Sequence, residues 1–182
     1  MRGCLMLEFS PKKAGFTLIE VLVVVAIIGV LSTMGVVSLK NAVQNARIKD
    51  SGINVTAYME RTANEANRLS SKLCVKIENG NLTLRTYKGD CTGELGDAID
   101  EMSLEPPSAF VAGTCMDHLI NMVTAGGAPF VPRLGLSAAP TGCIMIRYGS
   151  TDHYAVVMKT ATKNSVTYKL SYDGANGPWF DF

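Results

Sequence analysis

KKAGFTLIEVLVVVAIIGVL, residues 12–31, is the segment that sets the architecture of this chain. Basic residues and a small residue precede an apolar run, and from Phe16 to Leu39 the only charged residue is Glu20. At about 1.5 Å per residue, a helix over that run reaches roughly 36 Å, which is long enough to cross a bilayer core with some tilt. An ionised carboxylate inside such a span is strongly disfavoured unless it is paired. We therefore expect Glu20 to be a functional group.

The segment resembles the class III signal of type IV pilins and of the pseudopilins of type II secretion. In that family a membrane peptidase cuts after the glycine, here Gly15, and methylates the new amino terminus, here Phe16. The fifth mature residue of the family is a glutamate, here Glu20. By this resemblance the cleavage and assembly signal consists of Gly15, Phe16, Thr17, Leu18, Ile19 and Glu20. The resemblance is strong over residues 1–40 and covers the rest only in general layout.

The resemblance also suggests a chemical role for Glu20. Cleavage would give Phe16 a cationic amine, and stacked helices in a filament can bring the amine of one subunit near Glu20 of another. Inside an apolar bundle neither charge has water as an alternative partner, so a matched pair is favoured and a half-pair is strongly disfavoured. The ion pair would then form only when neighbouring helices are in the correct axial register. The alternative is a glutamate that snorkels to the membrane surface of a simple anchored protein.

The signal predicts how the chain is divided. We expect residues 1–15 to be a removed leader, 16–39 the transmembrane half of a long helix, 40–72 its soluble half and 73–182 a disulfide-bearing β-rich domain. Lys12 and Lys13 precede the span, so the positive-inside tendency keeps the leader in the cytoplasm. The predicted location is a single-pass bacterial inner membrane with the globular domain in the periplasm, and then a filament.

Apolar spacing predicts one long helix from Phe16 to about Ser71. Apolar residues recur at steps of three or four beyond the span, and polar residues between them suit a solvated face. The alternative is two helices broken at Ser51-Gly52. The predicted apolar positions are Leu39, Val43, Ala46, Ile53, Val55, Met59, Ala63, Ala66, Leu69 and Leu73.

The remaining chain predicts a β domain, which makes the fold class α+β and pilin-like. Asn79-Gly80 lies between the β-prone runs 73–78 and 82–87, which is a strong hairpin signal. Residues 89–107 look turn-rich, 115–124 suggest a short helix, and 125–142 suggest a long loop. Three β-prone runs, at 143–148, 153–159 and 166–172, predict an antiparallel meander. The aromatic tail, 174–182, is expected to pack on the sheet edge.

Cysteine usage fits an exported protein. Beyond the leader the chain has Cys74, Cys91, Cys115 and Cys143, an even number that predicts two disulfides in an oxidising compartment. Of the three possible connectivities we favour Cys74 with Cys91 and Cys115 with Cys143, because each closes a local loop. The absence of a Cys-x-x-Cys pattern makes a zinc site unexpected.

Charge is nearly balanced overall, with a formal net charge of +1, so nothing recommends a nucleic acid as ligand. The charge is uneven along the chain. Lys and Arg outnumber the acidic residues in 40–88, and all the charged residues of 89–105 are acidic. These stretches are expected to face each other, within one subunit or between two. The acids Asp90, Glu94, Asp97, Asp100 and Glu101 are a weak calcium candidate, against the favoured interpretation of a solvated acidic loop.

No catalytic motif was found: the chain has no Gly-x-Ser-x-Gly, no phosphate-binding glycine loop and no His-Glu-x-x-His. We therefore expect a structural subunit with no cofactor. Many major pilins have a proline a little past the middle of the span, and this chain has none between Phe16 and Glu105, so the resemblance favours a minor pilin or pseudopilin. The resemblance suggests the GspH/FimT group and implies as partners other pilins or pseudopilins, the prepilin peptidase and an inner-membrane assembly platform. The alternatives are a minor pilin for DNA uptake or surface adhesion, and a membrane-anchored periplasmic enzyme.

Overall fold

The structure, a computed structural model, describes residues 15–115, 119–122, 126–133, 139–160 and 166–181. One long helix, α1 (Leu18–Leu69), is followed by antiparallel strands, which confirms the α+β, pilin-like fold class. Contacts divide the chain into two compact units, Met1–Asn41 and Ala42–Phe182. The strands are β1 (Leu73–Glu78), β2 (Thr83–Lys88), β3 (Ala98–Ser103), β4 (Ser108–Val111), β5 (Ala128–Phe130), β6 (Gly142–Tyr148), β7 (Tyr154–Lys159), β8 (Thr167–Ser171) and β9 (Phe180–Asp181).

The first unit is an apolar helical rod in its described part. Helix α1 contains a segment that is long and apolar enough to cross a membrane, and no residue of that segment is buried by the protein itself. Its hydroxyl groups bond to their own helix, since Ser32 Oγ donates to the Ile28 carbonyl at 2.7 Å and Thr33 Oγ1 to the Val30 carbonyl at 2.7 Å. Such local bonds satisfy polar side chains where no water is available. The predicted leader lies outside the described residues, apart from Gly15.

In the second unit, α1 buries one stripe of side chains against both sheets. The predicted positions Val55, Met59, Ala63 and Ala66 are buried, Leu69 is half-buried, and Val43, Ala46 and Ile53 are exposed. Ile53 lies about 200° around the helix from Val55, so the two cannot share a face. The stripe instead continues through residues that the prediction omitted, Ile48 and Gly52.

Gly52 is a point of close approach and not a break in the helix. Helix α1 runs through it without interruption, so the alternative of two helices is wrong. A Cβ placed on Gly52 would lie 3.5 Å from Ala155 Cβ and 3.6 Å from Tyr168 Cδ2. The glycine therefore lets the helix backbone lie close to β7 and β8.

The helix ends in a hydrogen-bonded cap. Ser70 has a left-handed backbone with φ of 47°. The Ser71 N–H donates to the Ala66 carbonyl at 3.2 Å, and the Ser70 N–H donates to the Asn67 carbonyl at 3.1 Å. This is the Schellman pattern, which satisfies helix carbonyls that would otherwise lack partners. The chain then turns directly into β1.

The strands form two antiparallel sheets, with orders β3-β2-β1-β5 and β4-β6-β7-β8-β9. The predicted hairpin is confirmed as β1 and β2, whose connection places Asn79, Gly80 and Asn81 at positive φ. Glycine and asparagine adopt that conformation more readily than other residues. The predicted meander is confirmed as β6, β7 and β8.

The C-terminal tail packs on the second sheet, as predicted. It contributes β9 at the edge beside β8, and the Phe180 ring stacks on Tyr172 with centroids 6.3 Å apart. Trp179 packs on a buried cluster that contains Met145 and Met158. These methionines lie on the sheet face opposite the helix, because side chains alternate along a strand. Phe182 lies outside the described residues.

Two segments predicted to be irregular contain strands. Strand β3 lies within the acidic stretch 89–107, and β5 lies within the predicted loop 125–142. Strand β5 pairs with β1, so Leu73 is opposite Phe130 and both side chains are fully buried. Short strands with few β-branched residues give a weak sequence signal, and only pairing with a stronger neighbour orders them.

The short helix predicted at 115–124 is wrong for its described residues, 119–122. Asn121 forms a parallel β-bridge with Cys143. The Met122 N–H donates to the Cys143 carbonyl at 2.9 Å, and the Cys143 N–H donates to the Ile120 carbonyl at 2.9 Å. Backbone groups used by β6 are unavailable for helical bonds. Residues 116–118 and 123–125 lie outside the described part of the chain.

Candidate functional site

The bond predicted to be cut lies just ahead of helix α1. Gly15, Phe16 and Thr17 have no regular structure, and the helix begins at Leu18. The Phe16 residue is 87% exposed, and a Cβ added to Gly15 would have no heavy atom within 4 Å. Exposed, irregular backbone is what a peptidase requires. Within the described residues, the Gly15–Phe16 bond therefore lies in exposed, irregular backbone.

Glu20 forms a capping box with Thr17. The Thr17 N–H and the Thr17 hydroxyl both donate to Glu20 Oε2 at 3.0 Å, and the Glu20 N–H donates to Thr17 Oγ1 at 3.3 Å. This reciprocal arrangement satisfies backbone donors at the first turn of a helix. The capping role of Thr17 was not predicted, although Thr-x-x-Glu ahead of an apolar run is a recognised signal. The box fixes the start of α1 at Leu18, two residues beyond Phe16.

The capping box leaves half of the carboxylate unused. Both hydrogen bonds from Thr17 end on Oε2, and within residues 15–41 no hydrogen bond reaches Oε1. A carboxylate can accept about four hydrogen bonds, so a further donor can bind without displacing Thr17. The positive end of the helix dipole also favours an anion at this position. Glu20 is thus held in place and retains an exposed oxygen.

The structure forms both disulfides that we favoured from the local loops, Cys74 with Cys91 and Cys115 with Cys143. The first joins β1 to the segment after β2, beside Gly127, whose φ is 139°. A Cβ on Gly127 would lie 3.1 Å from Cys91 Sγ. Glycine is therefore required where the chain passes over this disulfide.

The acidic stretch faces basic residues of the same subunit. Arg61 bonds Asp100 at 2.5 Å, Lys72 bonds Asp90 at 2.7 Å, and Arg85 bonds Glu101 at 2.8 Å. A hydrogen bond from the Lys72 ammonium, with its charge, holds the pKa of Asp90 below its ordinary value. Of the two alternatives, the one within a single subunit is confirmed for these pairs.

These ion pairs remove the support for a calcium site. Three of the five candidate acids bond to cations, and Glu94 and Asp97 are exposed on the loop between β2 and β3. Among the described residues, no group of three or more His, Cys, Asp or Glu side chains lies close enough to hold a metal ion. The weak calcium hypothesis is therefore not retained.

A polar network, buried at Tyr58 and Thr86 and exposed at Arg61, joins α1 to the first sheet. The Tyr58 hydroxyl hydrogen-bonds Thr86 Oγ1 at 2.5 Å, and the Arg61 guanidinium lies 5.5 Å from the centroid of the Tyr58 ring. Burial raises the pKa of Tyr58 to about 12. Because Arg61 also bonds Asp100 of β3, one turn of the helix is fixed to two neighbouring strands.

Comparison with known proteins agrees with this site. A family model described as "Prokaryotic N-terminal methylation motif" matches residues 10–36, which include the exposed Gly15–Phe16 bond and the capping box. The match supports a type IV pilin-like structural subunit that is processed by a prepilin peptidase and assembles with other pilins. It is also consistent with an inner-membrane anchor. No curated protein and no solved structure matches the chain.

Proposed function

We propose that this chain is a minor pilin or minor pseudopilin, a structural subunit of a type IV pilus-like or type II secretion filament. It is inserted in the membrane by its N-terminal helix, cut between Gly15 and Phe16, and methylated on Phe16. The observation that carries the proposal is the exposed bond one residue ahead of the Thr17–Glu20 capping box, at the head of an uncovered apolar helix.

The state of Glu20 supports assembly through charge pairing. After cleavage, Phe16 gains an ammonium group that needs an anionic partner in an apolar bundle. Oε1 of Glu20 accepts no hydrogen bond in the described N-terminal unit. A neighbouring subunit's ammonium bound at Oε1 would leave the capping box in place. The pair would form only when two helices are in the correct register.

The exposed apolar surface supports the same route. Leu18 is 83% exposed, and the apolar side chains from Val21 to Leu31 are about half exposed or more. Water disfavours such a surface by roughly 25 cal/mol per Å². The bilayer covers it first, and neighbouring helices of the filament cover it after extraction.

The rest of the layout supports a minor subunit of the GspH/FimT kind. A long helix leads into a hairpin and then into a disulfide-bearing β domain. The alternative of a DNA-binding minor pilin is less favoured, because Arg61, Lys72 and Arg85 are engaged by acids of the same subunit. The remaining partners that we propose are the inner-membrane assembly platform and other pseudopilins of one filament.

The test is the intact mass of the protein purified from membranes of its native host. We expect loss of residues 1–15, one added methyl group, and loss of the hydrogens removed by two disulfides. Gly15→Ile should keep the leader, whereas the matched control Ala14→Val, one residue earlier, should still be cut. A wild-type protein that retains residues 1–15, or a Gly15→Ile protein that is cut normally, would contradict the proposal.

A further inference from the structure

Strand β3 forms one edge of the first sheet. The order β3-β2-β1-β5 leaves one side of β3 without a paired strand among the described residues. At six residues, β3 is longer than β5 at the opposite edge. An edge strand presents a row of backbone groups that can pair with another chain. The outer side of β3 is therefore a potential docking surface.

The register shows which backbone groups point outward. The Leu104 N–H donates to the Leu82 carbonyl at 2.8 Å. Hydrogen-bonded and non-hydrogen-bonded pairs alternate along an antiparallel ladder, so Met102, two residues before Leu104, also has its backbone N–H and carbonyl directed toward β2. The backbone groups of Glu101 and Ser103 are directed away from β2. The Glu101 N–H is bonded to Asp100 Oδ1 at 3.0 Å. In the described part of the chain, no hydrogen bond reaches the Ser103 N–H or the carbonyls of Glu101 and Ser103.

A polar groove runs beside this edge. It lies between α1 and the end of β3 and has a volume of about 430 Å³, within the range of ligand-binding sites. Asp50 and Asn54 line it from the helix, Ser103 lines it from the end of β3, and Glu105 lines it from the segment that follows. A strand added to β3 would direct alternate side chains into this groove.

We propose that the outer edge of β3 binds an extended segment of a different protein, added as a further strand, whose groove-facing side chains include a basic residue. Main-chain hydrogen bonds to Glu101 and Ser103 would provide affinity, and the groove would provide side-chain preference. The inference does not depend on filament assembly, because all the groups involved belong to the unit Ala42–Phe182.

The charge of the groove favours a basic strand. Asp100 and Glu101 are already paired with Arg61 and Arg85. Three charged side chains in the groove have no ion pair within the described residues, and two of them are acids. These side chains are Arg47, Asp50 and Glu105. A lysine or arginine on the incoming strand can pair with Asp50 or Glu105, whereas an acidic residue has only Arg47 as a partner and faces two like charges.

The same charges argue against a second copy of this chain as the occupant. Two β3 strands placed edge to edge would bring Asp100 and Glu101 against each other, and like charges on paired strands are destabilising. The other described edge strands, β4, β5 and β9, contain no basic residue. None of them supplies the charge that the groove lacks, so the partner is another polypeptide.

The first experiment measures binding of fluorescein-labelled peptides to the full mature chain in neutral detergent micelles, by fluorescence polarisation at low salt. The probes are Thr-Lys-Val-Thr-Lys-Val and its acidic counterpart Thr-Glu-Val-Thr-Glu-Val. We expect the basic peptide to bind about tenfold more tightly, since the one charged side chain that faces the groove changes from acidic to basic. Equal binding of the two peptides, or no binding of the basic peptide, would overturn the proposal.

A pair of variants then tests the strand geometry. Ser103→Pro removes the outward N–H, and Ser103→Ala keeps it; both lose the hydrogen bond between Ser103 Oγ and Thr83 Oγ1 at 2.9 Å. We expect Ser103→Pro to bind the basic peptide about tenfold more weakly or worse, and Ser103→Ala to bind like the wild type. Equal affinity of the two variants would contradict strand addition.

A measurement on the wild type removes any dependence on folding of the proline variant. Strand addition should slow amide hydrogen exchange at Ser103 when the basic peptide is added, because that N–H gains an acceptor. The Leu104 N–H, already bonded to Leu82, serves as the internal control and should change little. Unchanged exchange at Ser103 in the presence of saturating peptide would overturn the proposal.

Discussion

The two halves of helix α1 share one backbone conformation and differ in what stabilises them. In the first unit apolar residues occur on all sides and are exposed, whereas in the second unit one apolar stripe is buried. Leu18 is 83% exposed, while Ile48 is fully buried. Helices in proteins are stabilised mainly by packing of an apolar face. The second half therefore depends on its own subunit, and the first half depends on a bilayer or on other subunits.

The polar side chains of the two halves differ in how far along the sequence their partners lie. In the first half they bond nearby atoms, as Glu20 does with Thr17, so the helix is locally complete. In the second half Tyr58 and Arg61 bond residues far along the sequence, Thr86 and Asp100. The second half is thus fixed to its sheet, whereas the hydrogen bonds described for the first half stay within its own helix and leave Glu20 Oε1 free for a partner.

The largest expected difference between the halves comes from shortening one apolar side chain in each. Met59→Ala should lower the free energy of unfolding by about 2–5 kcal/mol, because Met59 is 1% exposed in the core. Val25→Ala should change it by less than about 0.5 kcal/mol, because Val25 packs on nothing in the described first unit. Denaturant unfolding of the chain in micelles, followed by fluorescence of the single Trp179, measures both. Equal losses of stability in the two variants would show that the two halves of α1 are stabilised in the same way.

A smaller effect tests how closely the second half approaches the sheet. Gly52→Leu should destabilise the protein by about 1–3 kcal/mol, since its side chain would enter the space that Ala155 and Tyr168 occupy. Gly52→Ala is the matched control, because its Cβ meets these neighbours at ordinary contact distances. We expect the alanine variant to be as stable as the wild type or more so, by up to about 1 kcal/mol. A tolerated leucine would mean that the helix lies farther from the sheet.

The smallest effect is a pH dependence that sharpens the contrast in polar groups. The folded state keeps the Tyr58 proton until about pH 12, whereas an unfolded tyrosine loses it near pH 10. The folded state then binds more protons in that window, so the stability due to Tyr58 is complete below pH 10 and is lost as pH rises toward 12. The difference in unfolding midpoint between the wild type and Tyr58→Phe should shrink over this range. A difference that stays constant would exclude this role of Tyr58.

Much of this architecture could be predicted because its signals are local. The apolar run with Glu20, the Asn79-Gly80 turn and the three β-prone runs each combine composition with spacing, and each produced the expected element. The misses depended on contacts between distant residues. Strand β5 is ordered by pairing with β1, and residues 119–122 bond to β6. Nothing within those segments specifies such partners.

The site shows the same division. Gly15, Phe16 and Glu20 were predicted from one continuous motif, which the family model also matches, and the capping role of Thr17 was available from its spacing to Glu20. The groove beside β3 could not be predicted, because it combines Asp50 of the helix with Ser103 of a strand that the sequence presents as a turn-rich stretch. The phase of the buried stripe was also missed, since Ile53 looks as apolar as Ile48 and only packing distinguishes them.

The most direct test of the central claim separates the charge of Glu20 from its capping role. Glu20→Gln keeps a side chain that can complete the capping box but removes the anion. Processing at Gly15 should continue, while the fraction of the variant recovered in filaments purified from the native host should fall more than about tenfold, as expected for an unpaired ammonium in an apolar bundle. Thr17→Ala, which keeps the charge and weakens the cap, should still assemble. Normal incorporation of a cleaved Glu20→Gln protein would contradict the account.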